Sequence, residues 1–369
     1  MLPTVMLVVD GPADAPEPAL DDRTPLQCAA VRNLDALARV GRLLRVRWDN
    51  DLDAGDPGRW CALAGFDVPY PPARGPLEAS ALEVPLAGRD LAFRAPIATG
   101  TSESLLGVAP MPAGRELAEI IAALEPLWSR KWRWFADATG AVLRGTDAAG
   151  RILHCRTPED FDGTSVSESL PEGDGAEDLA GIVWDSMEIL SRLPANRRRV
   201  DAGAAPWLCL WPCAPGTAWV PPGRVPPGWS AVGSDASFLG LGRGLGMRPV
   251  PIDSLGDIEE ACRRRAQAVK QRLDRGDAVV WVHLRRMAAD PDRHLAEIEA
   301  IDRDLVGMVR GELERCGERV RWRVAWGDGC PVPFLESDPT AEMEGRLPFD
   351  GRGFEEARRE VRPSVLWGK

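Results

Sequence analysis

A chain of 369 residues is long enough for a sizeable core and two domains, and 44% hydrophobic with 27% charged residues is the balance of a globular protein in water. A formal net charge of -11 excludes non-specific attachment to nucleic acid or anionic membranes, whose phosphates such a surface repels. Eight Cys without a CxxC pair, beside three His, argue against the usual zinc site and for reduced, mostly buried thiols in a cytoplasmic chain.

The chain opens on Thr4-Val5-Met6-Leu7-Val8-Val9-Asp10-Gly11, a valine-rich run stopped by an acid and a glycine. This pattern predicts a buried parallel strand with a carboxylate at its C-terminal tip, where open α/β sheets bind ligands. The plainer alternative is an Asx turn closing the strand. No Lys or Arg precedes the run and Asp10 interrupts it, which reads against a signal peptide. No stretch approaches the roughly 18 apolar residues of a membrane-spanning helix.

A helix is expected over 24–41. Thr24 caps it, Pro25 suits its first turn, Leu26, Ala30, Leu34, Leu37 and Ala38 share a face, and Gly41 ends it. Residues 42–90 read as loop-rich. From 91 the character changes: a helix over 116–127, a strand pair at 132–135 and 141–143, then an acidic stretch poor in apolar residues. We therefore expect a small α+β domain at 91–180, inserted into a core made of 1–90 and 181–369, with helix 176–193 leading back. Beyond it come a strand at 206–211, the run G-L-G-R-G-L-G at 240–246, an Arg-studded helix at 257–275 and a buried strand at 278–283. A helix over 292–316 and a strand at 320–326 complete the pattern. The glycine run lacks the third Gly of a dinucleotide fingerprint, since Leu245 stands there, and reads as a helix start packed closely on the sheet.

Four collinear groups of segments resemble a known family. They are V-V-D-G-P-A-D (8–14) with R-T-P-L-Q-C-A-A-V-R-N-L-D-A-L-A-R-V-G (23–41); L-A-G-F-D (63–67), A-R-G-P-L-E-A (73–79) and R-D-L-A-F-R-A-P-I-A-T (89–99); P-A-N-R-R-R-V (194–200) with the glycine run; and V-V-W-V-H-L (279–284), I-E-A-I-D (298–302) and P-V-P-F (331–334). Together they cover most of the chain and are similar to the archaeal-type cofactor-independent phosphoglycerate mutases of the alkaline phosphatase superfamily. The resemblance implies an α/β fold, a doubly wound alkaline phosphatase-like core with an inserted smaller α+β cap domain. It also implies a chemistry of two Mn or Zn ions, a nucleophilic Ser, His and Asp ligands, and Arg residues that grip phosphate and carboxylate.

Carried over position by position, Asp10 takes the place of the metal-binding Asp. The Ser should lie in the segment 55–62, where Asp56 stands at or beside its position and Trp60 near that of a His. The family's Asp-Glu-Ala-Gly-His motif aligns directly with Arg286–Asp290. A shifted alignment gives Asp290 and His294 the right internal spacing. Asp328 matches a later ligand Asp, and the His that should follow is Gly329. In the cap, P-M-P-A-G-R keeps only Arg115 of the substrate motif. Arg74, Asn196 and the run Arg197–Arg199 are kept; the resemblance implies that they bind substrate, while a scaffold role explains them equally well.

These losses lead to the expectation of a mutase-like protein without catalysis, serving in binding or regulation, with no cofactor. The alternative is a metal-dependent mutase or phosphatase with an altered site, using Mn or Zn on Asp10, Asp56, Asp290, His294 and Asp328. The expected partner is a phosphorylated small molecule or a protein, for which the fourteen Trp supply candidate anchors, and neither nucleic acid nor membrane.

Overall fold

The structure, a computed structural model, describes residues 2–11, 16–47, 57–66, 68, 70–150, 153–161, 163–252, 257–285, 291–327, 332–340, 348–349, 360–362 and 366–367. Close contacts divide the chain into two units, Met1–Pro71 with Pro221–Ser234 and Leu245–Lys369, and Pro72–Val220 with Asp235–Gly244.

The first unit is built on the strand Thr4–Asp10, every residue of which is buried. It pairs in parallel with Val279–Arg285 on one side and Arg321–Trp326 on the other. A strand flanked on both edges and covered on both faces can carry a continuous apolar run, as this one does. The mixed eight-stranded sheet runs in the order Arg248–Pro251, Trp229–Gly233, Val279–Arg285, Thr4–Asp10, Arg321–Trp326, Val332–Ser337, Arg42–Val46, Glu360–Val361. The first five are mutually parallel, so Gly233, Arg285, Asp10 and Trp326 end on one edge of the sheet. Val5, Leu7 and Val9 face a core shared with Val282, Trp322 and the helix Ile258–Asp274. Gly11 turns the chain away with φ 142, a value side-chain-bearing residues rarely take.

The helix expected over 24–41 is two helices, Pro25–Cys28 and Arg32–Arg39. Thr24 caps the first as expected, in a box with Gln27. The break comes from a distant segment. Ala30 donates its N–H to Glu299 at 3.0 Å, and the carboxylate of Asp302 accepts the N–H groups of Asn33 and Leu34 at 3.1 and 2.7 Å, so it caps the second helix. Ala30 is consequently exposed. The helix expected at 292–316 is continuous but contains a π-helical stretch, Ile301–Gly307, that presents Asp302.

The second unit is wider than the 91–180 read from composition. Helix Arg74–Ala81 packs on strand Leu91–Arg94, while Trp207–Leu210 and Cys213–Gly216 pair with Ile97–Thr101 and Leu91–Arg94. Residues on both sides of the expected boundaries thus complete its sheets, and 91 and 176 begin the strand Leu91–Arg94 and the helix Ala176–Arg192. Phe93, Ile97, Ile120, Leu143, Leu179 and Trp207 belong to its core. The glycine run also departs from expectation. It forms the second half of helix Ala236–Gly244, and Gly240 lies against the backbone of Leu77 and Ala81, where any Cβ would collide with the Leu77 carbonyl. The close approach is helix on helix, not helix on sheet. Among the described residues no helix is long and apolar enough to cross a membrane.

Candidate functional site

Asp10 ends the central strand and is 1% exposed. Its carboxylate accepts from three side chains: the guanidinium of Arg59 on Oδ1, the indole Nε1 of Trp60 on Oδ2 at 3.0 Å, and Nε2 of His283, 2.8 Å from Oδ2. Arg59 and Trp60 come from helix Pro57–Leu63, all of whose residues are buried. His283 comes from the neighbouring strand, on the same face of the sheet as Asp10 because Val8 and His283 are register partners. Trp60 stands edge-on to the His283 ring at a centroid distance of 5.1 Å. Behind His283, its carbonyl accepts from Nε of Arg265 at 2.9 Å.

Burial alone pushes the Asp10 carboxyl up. The bond and charge of His283, the charge of Arg59 and the Trp60 indole more than offset this and hold it at about 2. The group is ionised throughout the neutral range. Asp10 is therefore the hub of a buried polar cluster rather than the turn residue of the plainer reading.

That donor set does not fit a metal ion on Asp10. The oxygens face a guanidinium N–H and an indole N–H, both obligate donors, where a bound cation needs neighbours with lone pairs. The Arg59 guanidinium already sets a permanent positive charge beside the carboxylate. Among the described residues no group of three or more His, Cys, Asp or Glu gathers as a metal site. His294 is buried on helix Pro291–Ala300. Asp56, Asp290 and Asp328 lie outside the described residues.

The residues expected to grip substrate all lie in the second unit. Arg74 pairs with Asp235, Nη1 to Oδ2, at 3.6 Å. Arg115 and Arg198 both hold Glu119, at 2.9 Å each, on the surface. Arg197 is exposed. Arg199 donates to the carbonyl of Ala205 and lies over the Trp207 ring, 5.3 Å from its centroid. Asn196 is spent on scaffold: its amide donates to the carbonyls of Leu190 and Trp207 at 2.9 and 2.8 Å and accepts the Trp207 N–H at 2.8 Å. Asn196→Ala should therefore cost about 2 kcal/mol in a urea titration, because it orphans buried backbone groups. A midpoint equal to wild type would return Asn196 to the ligand reading.

A second buried polar cluster, not singled out in the sequence, surrounds Glu78. Its Oε1 lies 3.3 Å from Nε of Arg94 and accepts from Ser237 Oγ at 3.0 Å, with the Arg74–Asp235 pair beside it. Burial pushes this carboxyl up to about 7, against the pull of Arg94, Arg74 and Ser237.

Arg59 and His283 were legible only in part. The segment P-G-R-W-C-A-L-A carries one charge in an apolar run, and V-V-W-V-H-L carries one imidazole in a buried strand. A lone polar group in such a run needs a buried partner, and Asp10 is that partner for both.

A model of the 2,3-bisphosphoglycerate-independent phosphoglycerate mutase family matches residues 56–196. The phosphoglycerate mutase of that kind from Methanothrix thermoacetophila is 30% identical over 346 residues, spanning 89% of this chain and 86% of its own. The one from Methanopyrus kandleri is 33% identical over 341 residues, 83% and 78% of the two chains. Among solved structures, the cofactor-independent phosphoglycerate mutase of Thermoplasma acidophilum superposes with a TM-score of 0.57 at 22% identity, covering 99% of this chain and 98% of its own. A protein of Pyrococcus horikoshii superposes with a TM-score of 0.67 at 21% identity, covering 99% and 95%. The α/β fold is thus the alkaline phosphatase-like one that the resemblance implied. Identity sustained over most of both chains, on that shared fold, places this protein in the family of 2,3-bisphosphoglycerate-independent phosphoglycerate mutases.

Proposed function

We propose that this chain is a mutase-fold protein that no longer interconverts phosphoglycerates and instead binds, in the cytoplasm, a phosphorylated small molecule or a protein partner. The observation that carries this reading is the Asp10 carboxylate engaged by Arg59, Trp60 and His283. A phosphoryl-transfer site of the expected type needs an activated oxygen nucleophile and cations bound by shared carboxylates and imidazoles. Here the first-strand carboxylate is neutralised from within the chain, and the sequence around Asp56 offers no Ser. Losing members of such a unit costs orders of magnitude in turnover, and the losses do not add independently. The protein then requires neither Mn nor Zn.

The test is twofold. Purified protein, dialysed and analysed for metals, should hold no stoichiometric Mn or Zn. It should not interconvert the phosphoglycerates above a protein-free blank, with or without either ion. Retention of about two metal equivalents, as a two-metal site requires, or turnover above the blank, would replace this reading by the altered enzyme that uses Asp10, Asp56, Asp290, His294 and Asp328.

A further inference from the structure

Among the described residues, one sheet of the second unit ends on a strand with no further strand beyond it. Strand Trp132–Ala136 is the last of four, in the order Cys213–Gly216, Leu91–Arg94, Ala141–Gly145, Trp132–Ala136, and among the described residues it has that one strand neighbour. Its direction of bonding follows from the hairpin. Asp137 donates to the Gly140 carbonyl and Thr146 to that of Lys131, with Arg133 opposite Arg144 and Phe135 opposite Val142. In an antiparallel ladder, bonded and non-bonded pairs alternate. Arg133 and Phe135 therefore bond inward to the neighbouring strand. Trp132, Trp134 and Ala136 aim their N–H and C=O groups outward. The Trp132 carbonyl is taken by the Ser129 N–H, which leaves Trp134 and Ala136 as the edge.

A cavity of about 280 Å³ runs along this edge. Five consecutive residues, 133–137, line it, with Leu82 and with Ile121 and Trp128 as its walls. The edge is charged asymmetrically, with Arg133 and Asp137 placed two residues either side of Phe135 and both exposed. Arg133 also stands opposite Arg144, a like-charged pair whose two guanidinium groups lie 5.8 and 5.4 Å from the Phe135 ring.

We propose that the occupant of this edge is a second copy of the same chain, paired antiparallel about a two-fold axis at Phe135. In that register Trp134 of one protomer exchanges both backbone bonds with the partner's Ala136, and the reverse, so each outward-facing residue is satisfied. Arg133 meets the partner's Asp137 in a non-hydrogen-bonded pair, where side chains are closest. The two-fold axis repeats that ion pair, as an isologous interface must. An axis at Trp134 would instead call on the Trp132 carbonyl, already engaged, and would set Arg133 opposite Phe135 without its acid. Self-pairing also removes the exposed strand edge that otherwise invites disordered aggregation. The interface belongs to the second unit and forms whether or not the protein turns over substrate.

Sedimentation equilibrium of the full chain tests it. Wild type should run at twice its 40.1 kDa chain mass. Arg133→Asp and Asp137→Lys should each run as monomers, since each sets like charges face to face twice. An equimolar mixture of the two should recover the dimer, because each charge then meets its opposite. Asp137 also accepts from Thr139 and Gly140 in the hairpin turn, so Ala136→Pro supplies a second probe. It removes an outward N–H that the hairpin does not use and should also give a folded monomer. A monomeric wild type, a dimer indifferent to Arg133→Asp and Ala136→Pro, or folded charge variants that stay monomeric when mixed would each overturn the proposal.

Discussion

Arg59→Ala should lower the unfolding free energy by about 3–5 kcal/mol, the usual cost of leaving a buried charge without its partner. The variant leaves Asp10, 1% exposed, with the Trp60 and His283 bonds, among the described residues, to hold its charge. The loss should be coupled. Arg59→Ala combined with Asp10→Asn should cost less than the sum of the single changes, because the second change removes the charge that the first exposed. Acid provides an independent reading. In the wild type the Asp10 carboxyl is depressed from its ordinary 3.8 to about 2. Its contribution is therefore present above pH ~4 and is lost as pH falls towards 2. Urea titrations at pH 7 and pH 3 measure both. A cost below about 1 kcal/mol at pH 7, the range of an exposed ion pair, would mean that His283 and Trp60 hold the Asp10 charge without this guanidinium.

Glu78 shifts the other way. Its folded carboxyl is raised to about 7 from 4.5, chiefly by burial. The folded state therefore holds a proton that the unfolded state releases between those values. Its contribution is fully present below pH ~4.5 and is lost as pH rises through 7. A gap of about 2.5 in pKa is worth about 3 kcal/mol at 1.36 kcal/mol per pKa. Glu78→Gln removes this titration and keeps an amide that Ser237 can bond. The stability of Glu78→Gln relative to wild type should thus grow by about 3 kcal/mol from pH 4.5 to pH 8, whatever its offset at either end. A difference flat across that range would show that Arg94 and Arg74 hold Glu78 ionised in the folded chain.

What depends on neighbours along the chain was legible before folding is considered. Apolar runs at 4–9 and 278–283 placed the strands Thr4–Asp10 and Val279–Arg285, and the segments at 320–326 and 257–275 were legible as a strand and an Arg-studded helix, which the structure has as Arg321–Trp326 and Ile258–Asp274. The first run also placed a carboxylate at the tip of its strand. Tertiary structure decided what that carboxylate does, because its partners Arg59, Trp60 and His283 lie 49, 50 and 273 residues away. No local propensity reports such a separation. The same physics divided the helix expected at 24–41. Periodicity allows one helix through Ala30, but a buried carboxylate 268 residues on, Asp302, bonds the Leu34 N–H and starts a new one. The glycines at 240–246 announced a close approach, and only the packed helices identified the Leu77 backbone as what they approach. Local patterns fix which segments are strands and helices because each residue meets its chain neighbours in every conformation. Buried charges are different: each must find a partner after collapse, and the folded packing decides which one.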